Sequence, residues 1–362
     1  MNRVIYICVF LFVTLVMTVF TSNWELTASE KSSNSNNQLS APFSHSSIAL
    51  SGRSFHSLLT LAHYRVFDSQ GNSLTLNDLT EHINKTDVTF LGETHTDAVA
   101  HYLEALLLEM TWDQSQTVSL EMFESDVQYV VDEYLAGLIN EEHFMKSGRS
   151  WENYASDYRA IIEFSKKNGI PVLAANAPRR YVNMVSRLGE ESLHSLSTEA
   201  LQFLPPLPYP EATEDYENKF RAIMSAYHSM LPKVSRTEKI ANPEREEPNN
   251  RFIEKRTTED PSIDEEAFQK MLAAQNLWDA SMAWSIASHL KEHRQSRILH
   301  INGSFHTDYK IGIPEHLKNY LPDVTILVVT IVPSYEFPHF SEAMHGLGDF
   351  IIVTDANLPP SY

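Results

Sequence analysis

Two segments of this chain place an imidazole where a strand gives way to a turn, the first of them with a carboxylate beside it. Leu91-Gly92-Glu93-Thr94-His95 follows the apolar run Val88-Thr89-Phe90 and precedes a helical pattern. Leu299-His300-Ile301-Asn302-Gly303-Ser304-Phe305-His306 repeats the arrangement: apolar strand, glycine, two residues, histidine. Glycine permits a tight strand-to-helix turn, so Glu93, His95 and His306 fall at the carboxyl edge of a sheet. A third strand, Val118 to Phe123, carries Glu121 alone among apolar neighbours. Burying an unpaired carboxylate is costly, so Glu121 calls for a histidine, an arginine or a metal. Together Glu93, His95, Glu121 and His306 make an N/O set suited to a divalent metal ion or to acid–base work. As a hydrolase (peptidase or esterase), such a site would lower the pKa of a metal-bound water to about 7. Alternatively, Glu93 would serve as general base. A plainer reading has Glu93 capping the helix and His95 satisfying a buried carbonyl.

Trp151, Tyr154 and Tyr158 fall at i, i+3 and i+7, one face of a helix. An aromatic stripe of that spacing is core in most proteins; the alternative is a flat apolar ligand lying against the rings. Tyrosine can ligate ferric haem iron, and Arg149, Arg159, Arg179 and Arg180 could then hold acidic substituents such as propionates. Those arginines read equally well as solvated helix ends. Of the sixteen histidines, only His95 and His306 have a strand-end context; the other fourteen read as ordinary.

The elements that must position these groups are legible as an alternation. Short β-type runs at Val88–Leu91, Thr117–Met122, Pro171–Ala175, Ile298–Ile301 and Val324–Ile331 are separated by helical patterns. These patterns lie near Asp97–Met110, Val127–Leu138, Trp151–Lys167 and Phe268–Leu290. Continuous rather than alternating hydrophobicity predicts an α/β fold, a mostly parallel sheet covered by helices on both faces. Functional groups then gather at the carboxyl ends of its strands. Tyr64 to Leu76, with a turn at Ser69-Gln70-Gly71-Asn72, predicts an N-terminal β-hairpin. Residues 233–266 carry dense charge of both signs with three prolines, a solvated insertion in the 55–362 domain.

Upstream, Met1-Asn2-Arg3 and the uncharged run Val4 to Phe20 read as a signal peptide or membrane anchor over 1–28. A Ser/Asn-rich tether follows over 29–54. Cys8, the one cysteine, lies inside the leader, where its neighbours make a poor lipidation site, and a disulfide within the chain is excluded. At 43% hydrophobic residues the chain can fill a core. A net charge of −19 opposes nucleic-acid binding, whose phosphate contacts need a basic face.

From about Tyr64 to Leu321 the chain resembles the ChaN-like haem-binding family, within the superfamily of Tiki and TraB proteins and erythromycin esterase. The likeness rests on Leu91 to His95, Leu120-Glu121-Met122-Phe123 and Trp151 through Tyr158-Arg159. It continues in Ala175-Asn176-Ala177-Pro178-Arg179, Leu277 to Ala283, and Gly303 to His306 followed by Gly312-Ile313-Pro314. The resemblance implies an exported, membrane-attached α/β protein of iron or haem acquisition, handing its cargo to a receptor or transporter. It also implies a homodimer with haems stacked face to face, each ferric iron held by a tyrosine with a histidine nearby. Carried over, Tyr158 is the first choice of ligand and Tyr154 the second, with Trp151, Arg159 and Arg179 around the haem. Ala160 stands where the family usually has proline.

Overall fold

The computed structural model describes residues 61–230 and 264–362. The expected leader, the tether and residues 233–263 of the charged insertion lie outside them. Among the described residues, no helix is long and apolar enough to cross a membrane.

Eight strands form one sheet in the order β2-β1-β8-β7-β3-β6-β4-β5. They are β1 (Tyr64–Asp68), β2 (Ser73–Leu74), β3 (Val88–Glu93), β4 (Gln116–Glu124), β5 (Val172–Asn176), β6 (Arg297–Gly303), β7 (Ile326–Ser334) and β8 (Phe350–Asp355). The six from β3 to β8 run parallel to one another, and β1 pairs antiparallel with both β2 and β8. The hairpin is therefore present, but its second arm stops at Leu74. Thr75 caps a helix, α1 (Leu76–Ile83): its hydroxyl accepts from Asp78 N–H, and the Asp78 carboxylate accepts from Thr75 N–H. That reciprocal box commits Leu76 to the helix.

The longer helices that follow are α2 (Ala98–Thr111), α3 (Gln128–Leu135), α4 (Glu141–Ser147), α5 (Arg159–Asn168), α6 (Arg179–Leu188), α7 (Glu214–Met230), α8 (Glu265–Glu292) and α9 (Ile313–Tyr320). The charged insertion ends earlier than expected, because Glu265 and Glu266 form the first turn of α8 behind Asp264, whose side chain caps it. Side chains of the central strands alternate between two cores. Leu91, Leu120, Leu299 and Ile301 face Leu103, Leu107, Val131 and Ile161 of α2, α3 and α5. Val88, Phe90, Ile298 and Val328 face Val182 of α6, Ala280 and Ala283 of α8, and Leu317 of α9. Cover on both faces explains the unbroken burial of β3 and β4.

From β3 the chain steps through β4 to β5 on one side, then returns so that β6 lies between β3 and β4. β7 and β8 extend the other side. The order reverses about β3 and β6, and such a reversal is where open α/β sheets place ligand-binding groups.

Candidate functional site

Glu93 ends β3, directly across from Gly303 at the end of β6. Only 2% of it is exposed. Its Oε1 accepts from the Tyr158 hydroxyl and from His95 Nδ1–H at 2.9 Å, while Oε2 lies 2.8 Å from His101 Nδ1. Burial pushes the Glu93 carboxyl up, but the imidazoles, His101 foremost, overcome it and hold Glu93 well below the usual range. His101 is driven the opposite way: burial opposes its charge, and Glu93 and Glu104 raise it well above ordinary histidine.

The helix behind this strand supplies the floor of the site. Asp97 caps α2 by accepting from the N–H groups of Val99 and Ala100. His101 and Glu104, one turn apart, then point inward beneath Glu93. Nε2 of His101 donates to the His95 carbonyl at 3.0 Å and lies 3.3 Å from Asp157 Oδ2, while Nδ1 is 3.2 Å from Glu104 Oε2. Glu104 is wholly buried; burial and the Glu93 charge push its carboxyl well above the usual range.

A matching half forms around β6. Glu121 accepts a 2.7 Å hydrogen bond from Gly303 N–H through Oε2, and its Oε1 is 3.7 Å from His306 Nε2. The other nitrogen of His306 donates to Asp279, midway along α8. Burial opposes charge on His306, but Asp279 and Glu121 raise its pKa nevertheless. The expected partner of Glu121 is thus a histidine together with a backbone amide.

Both glycines serve close approach. A Cβ on Gly303 would stand 3.0 Å from the His95 ring, so the imidazole packs directly on bare backbone between Glu93 and Glu121. Gly92 lies inside β3 rather than in a turn, and a Cβ there would meet Thr307 Oγ1 at 2.9 Å and Ser304 Cα at 3.0 Å. The segment carrying His306 folds over the strand because Gly92 leaves room.

The sequence placed Trp151, Tyr154 and Tyr158 on one face of a continuous helix; the structure corrects this. Trp151 precedes a turn of π-helix, Tyr154–Tyr158, and only then does α5 begin. The wider turn separates the rings. Tyr158 packs on Trp151 and His101 with centroids 5.7 and 5.0 Å away, whereas Tyr154 meets Phe144. It also directs Asp157 at His101, in keeping with the frequent use of π-turns at functional sites. Trp151 lies edge-on to His95. Arg149 and Arg180 converge on Asp126 beyond β4, Arg159 pairs with Glu141 at the surface, and Arg179 is exposed at the start of α6.

Glu93, His95, Glu121 and His306 are therefore brought to one edge, as expected from two strand ends sharing a motif. His101, Glu104, Asp157 and Asp279 were missed, and the reading of His101 as ordinary is overturned by its place between Glu93, Glu104 and Asp157. Among the described residues, the ligand atoms lying within 4.8 Å of one another belong to Glu93, His101 and Glu104.

A family profile described as "Haem-binding uptake, Tiki superfamily, ChaN" matches residues 79–317, which hold all of these side chains. The chain belongs to this ChaN-type haem-binding family. Among solved structures, ChaN of Campylobacter jejuni with cofacial haem shares 17% identity and a TM-score of 0.55. That likeness covers 81% of this chain and 97% of the other. An erythromycin esterase in its open conformation is more distant, at 11% identity and TM-score 0.39 over 82% of this chain and 83% of its own. At such identities the ChaN likeness speaks to the fold alone, which agrees with the sheet described above. No curated protein matches the chain.

Proposed function

We propose that this protein binds haem outside the cytoplasm, as a carrier or store rather than a catalyst. The family match across residues 79–317 carries the reading, and the hydrophobic leader read from Val4 to Phe20 supports export. Haem is cargo here, to be passed to a receptor or transporter at the membrane.

A ferric iron needs a phenolate that faces a ligand-sized space. Tyr154 and Tyr158 are 0% and 2% exposed, and the Tyr158 oxygen turns inward to Glu93. To reach iron, Tyr158 must break that bond and displace the half-buried Trp151. Tyr309 is open to a ligand without such a rearrangement. It is 49% exposed, three residues past His306 and inside the matched segment. Tyr309 and Lys310 adopt φ of 63° and 62°, a left-handed conformation that persists only where surroundings enforce it. Tyr309 N–H is fixed on the Leu347 carbonyl at 2.8 Å. We therefore assign the iron to Tyr309, with Arg179 on the same edge of the sheet as the cation for a propionate, since Lys310 beside Tyr309 is already paired with Asp349 at 2.6 Å. Two copies with haems face to face would form the dimer, in keeping with the cofacial binding of the Campylobacter protein.

The hydrolase reading uses Glu93, His95, Glu121 and His306, already tied to one another and to Tyr158, His101 and Asp279. Such a network suits a rigid wall as well as catalysis, and the family match favours haem.

Hemin titration of the purified protein, followed in the Soret region and by sedimentation, tests the assignment. Tyr309→Phe is expected to weaken binding and remove the tyrosinate charge-transfer band, with Tyr158→Phe and Tyr154→Phe retaining both. Loss confined to Tyr158→Phe would move the ligand to Tyr158. Absence of any Soret shift in the wild type would end the haem reading.

A further inference from the structure

The floor of the site has a geometry that the haem reading does not use. Glu93, His101 and Glu104 each offer a ligand atom, and these atoms all lie within 4.8 Å of one another. All three residues are buried, at 2%, 4% and 0% exposed. His101 Nδ1 stands 2.8 Å from Glu93 Oε2 and 3.2 Å from Glu104 Oε2. Two ligands bonded to one ion at about 2.1 Å, on adjacent coordination positions, are themselves roughly 3 Å apart. The observed spacings match that requirement.

Two further observations point to a ligand. Glu104 Oε1 is buried with no hydrogen-bond donor, and Glu93 Oε2 meets only the His101 ring. Buried carboxylate oxygens rarely go without a partner. The orientation of His101 is also set from behind. A carbonyl oxygen can only accept, so the 3.0 Å contact from Nε2 to the His95 carbonyl fixes the proton on Nε2. Nδ1 faces the two carboxylates, and an ion entering between them would displace the Nδ1 proton and take its lone pair. On the other side, Tyr158 O–H and His95 Nδ1–H hold Glu93 Oε1, leaving Oε2 turned to the centre. Outer partners that fix tautomer and carboxylate in this way are characteristic of metal sites.

We propose that Glu93, His101 and Glu104 bind one divalent first-row transition ion, in a structural site beneath the haem-binding edge. One imidazole and two carboxylates suit Mn2+, Fe2+ or Zn2+ rather than Cu+. The site needs neither His306 nor Glu121, which distinguishes it from the cluster of strand-end residues, and it stands whether or not haem binds.

The test is elemental analysis of the purified full chain, followed by removal with chelator and titration with MnCl2 and ZnCl2 by calorimetry and thermal melting. One ion per chain is expected, with a rise in Tm on reloading. Glu104→Gln, nearly isosteric, is expected to weaken binding at least tenfold, while Glu121→Gln binds as wild type. Should Glu104→Gln fail to fold, X-ray absorption of the loaded wild type is expected to show one imidazole among N/O ligands. Absence of a bound ion and of any Tm response to either salt would overturn the site, leaving a proton shared between Glu93 and Glu104 only. Unchanged affinity in Glu104→Gln, or an absorption spectrum without imidazole, would overturn it equally.

Discussion

Replacing His300 by asparagine should make stability far less sensitive to acid. His300 lies on β6 with no exposure, its Nδ1 2.8 Å from Ser119 Oγ, its Nε2 without a partner and its ring edge-on to Phe90. Burial first, and then the like charge of His306, push its pKa down to about 3. In the unfolded chain it titrates near 6.5. The folded protein therefore holds His300 neutral while the unfolded chain takes up a proton. Its contribution is fully present above about pH 6.5 and is lost as pH falls toward about 3, at roughly 1.4 kcal/mol per unit. By about pH 4.5 the loss reaches roughly 2.7 kcal/mol. Asparagine can keep the bond to Ser119 but removes the ring from Phe90, at a cost of about 1–3 kcal/mol that does not depend on pH. Urea unfolding of both proteins at about pH 8, 6.5, 5.5 and 4.5 gives the comparison. The variant should be the less stable at high pH and should draw level near pH 4.5. Parallel curves across that range would refute the reasoning, because His300 would then be protonated in the folded state or accessible to water.

Gly303→Ala should displace the His95 imidazole, since the new Cβ stands 3.0 Å from its Cε1 and Nε2. A destabilisation of about 1–3 kcal/mol and a shifted His95 resonance are expected, and an unmoved resonance would show that the loop yields instead. Asp279→Asn removes the carboxylate that, with Glu121, raises His306. The pKa of His306, read by NMR titration, should fall below its wild-type value, and an unchanged value would assign the effect to Glu121.

The parts of the fold readable from sequence were those whose signal is burial itself. β3, β4 and β6 are buried along almost their whole length because helices cover both faces, and the two glycine–histidine spacings located the edge where they end. β8 escaped because Phe350 to Asp355 follows a loop rather than a helix, outside the strand–helix alternation. His101 and Glu104 escaped for a different reason: polar residues in α2 read as its solvent face. Yet Leu103, Leu106, Leu107 and Leu108 surround the same helix, which leaves it no broad polar face, and that conflict was the available signal. Asp279 stood in plain view between Trp278 and Ala280, but its partner His306 lies on a different element, and spacing alone does not reveal a contact made by packing. The π-turn was equally hidden, since Trp151, Tyr154 and Tyr158 obey helical spacing although the backbone does not.

The insertion of β6 between β3 and β4 has a consequence for the order in which the molecule is made. Glu121 and the Gly303 amide that it holds are separated by 182 positions in the chain. During synthesis, β3 and β4 emerge early with apolar faces, yet neither can pair with the other across the place reserved for β6. Their shared edge stays open until Arg297 to Gly303 has left the ribosome. Long-range parallel pairing of this kind is slow and leaves strand edges exposed meanwhile. The site is thus among the last parts of the domain to assemble, closing only when one late strand slides between two early ones.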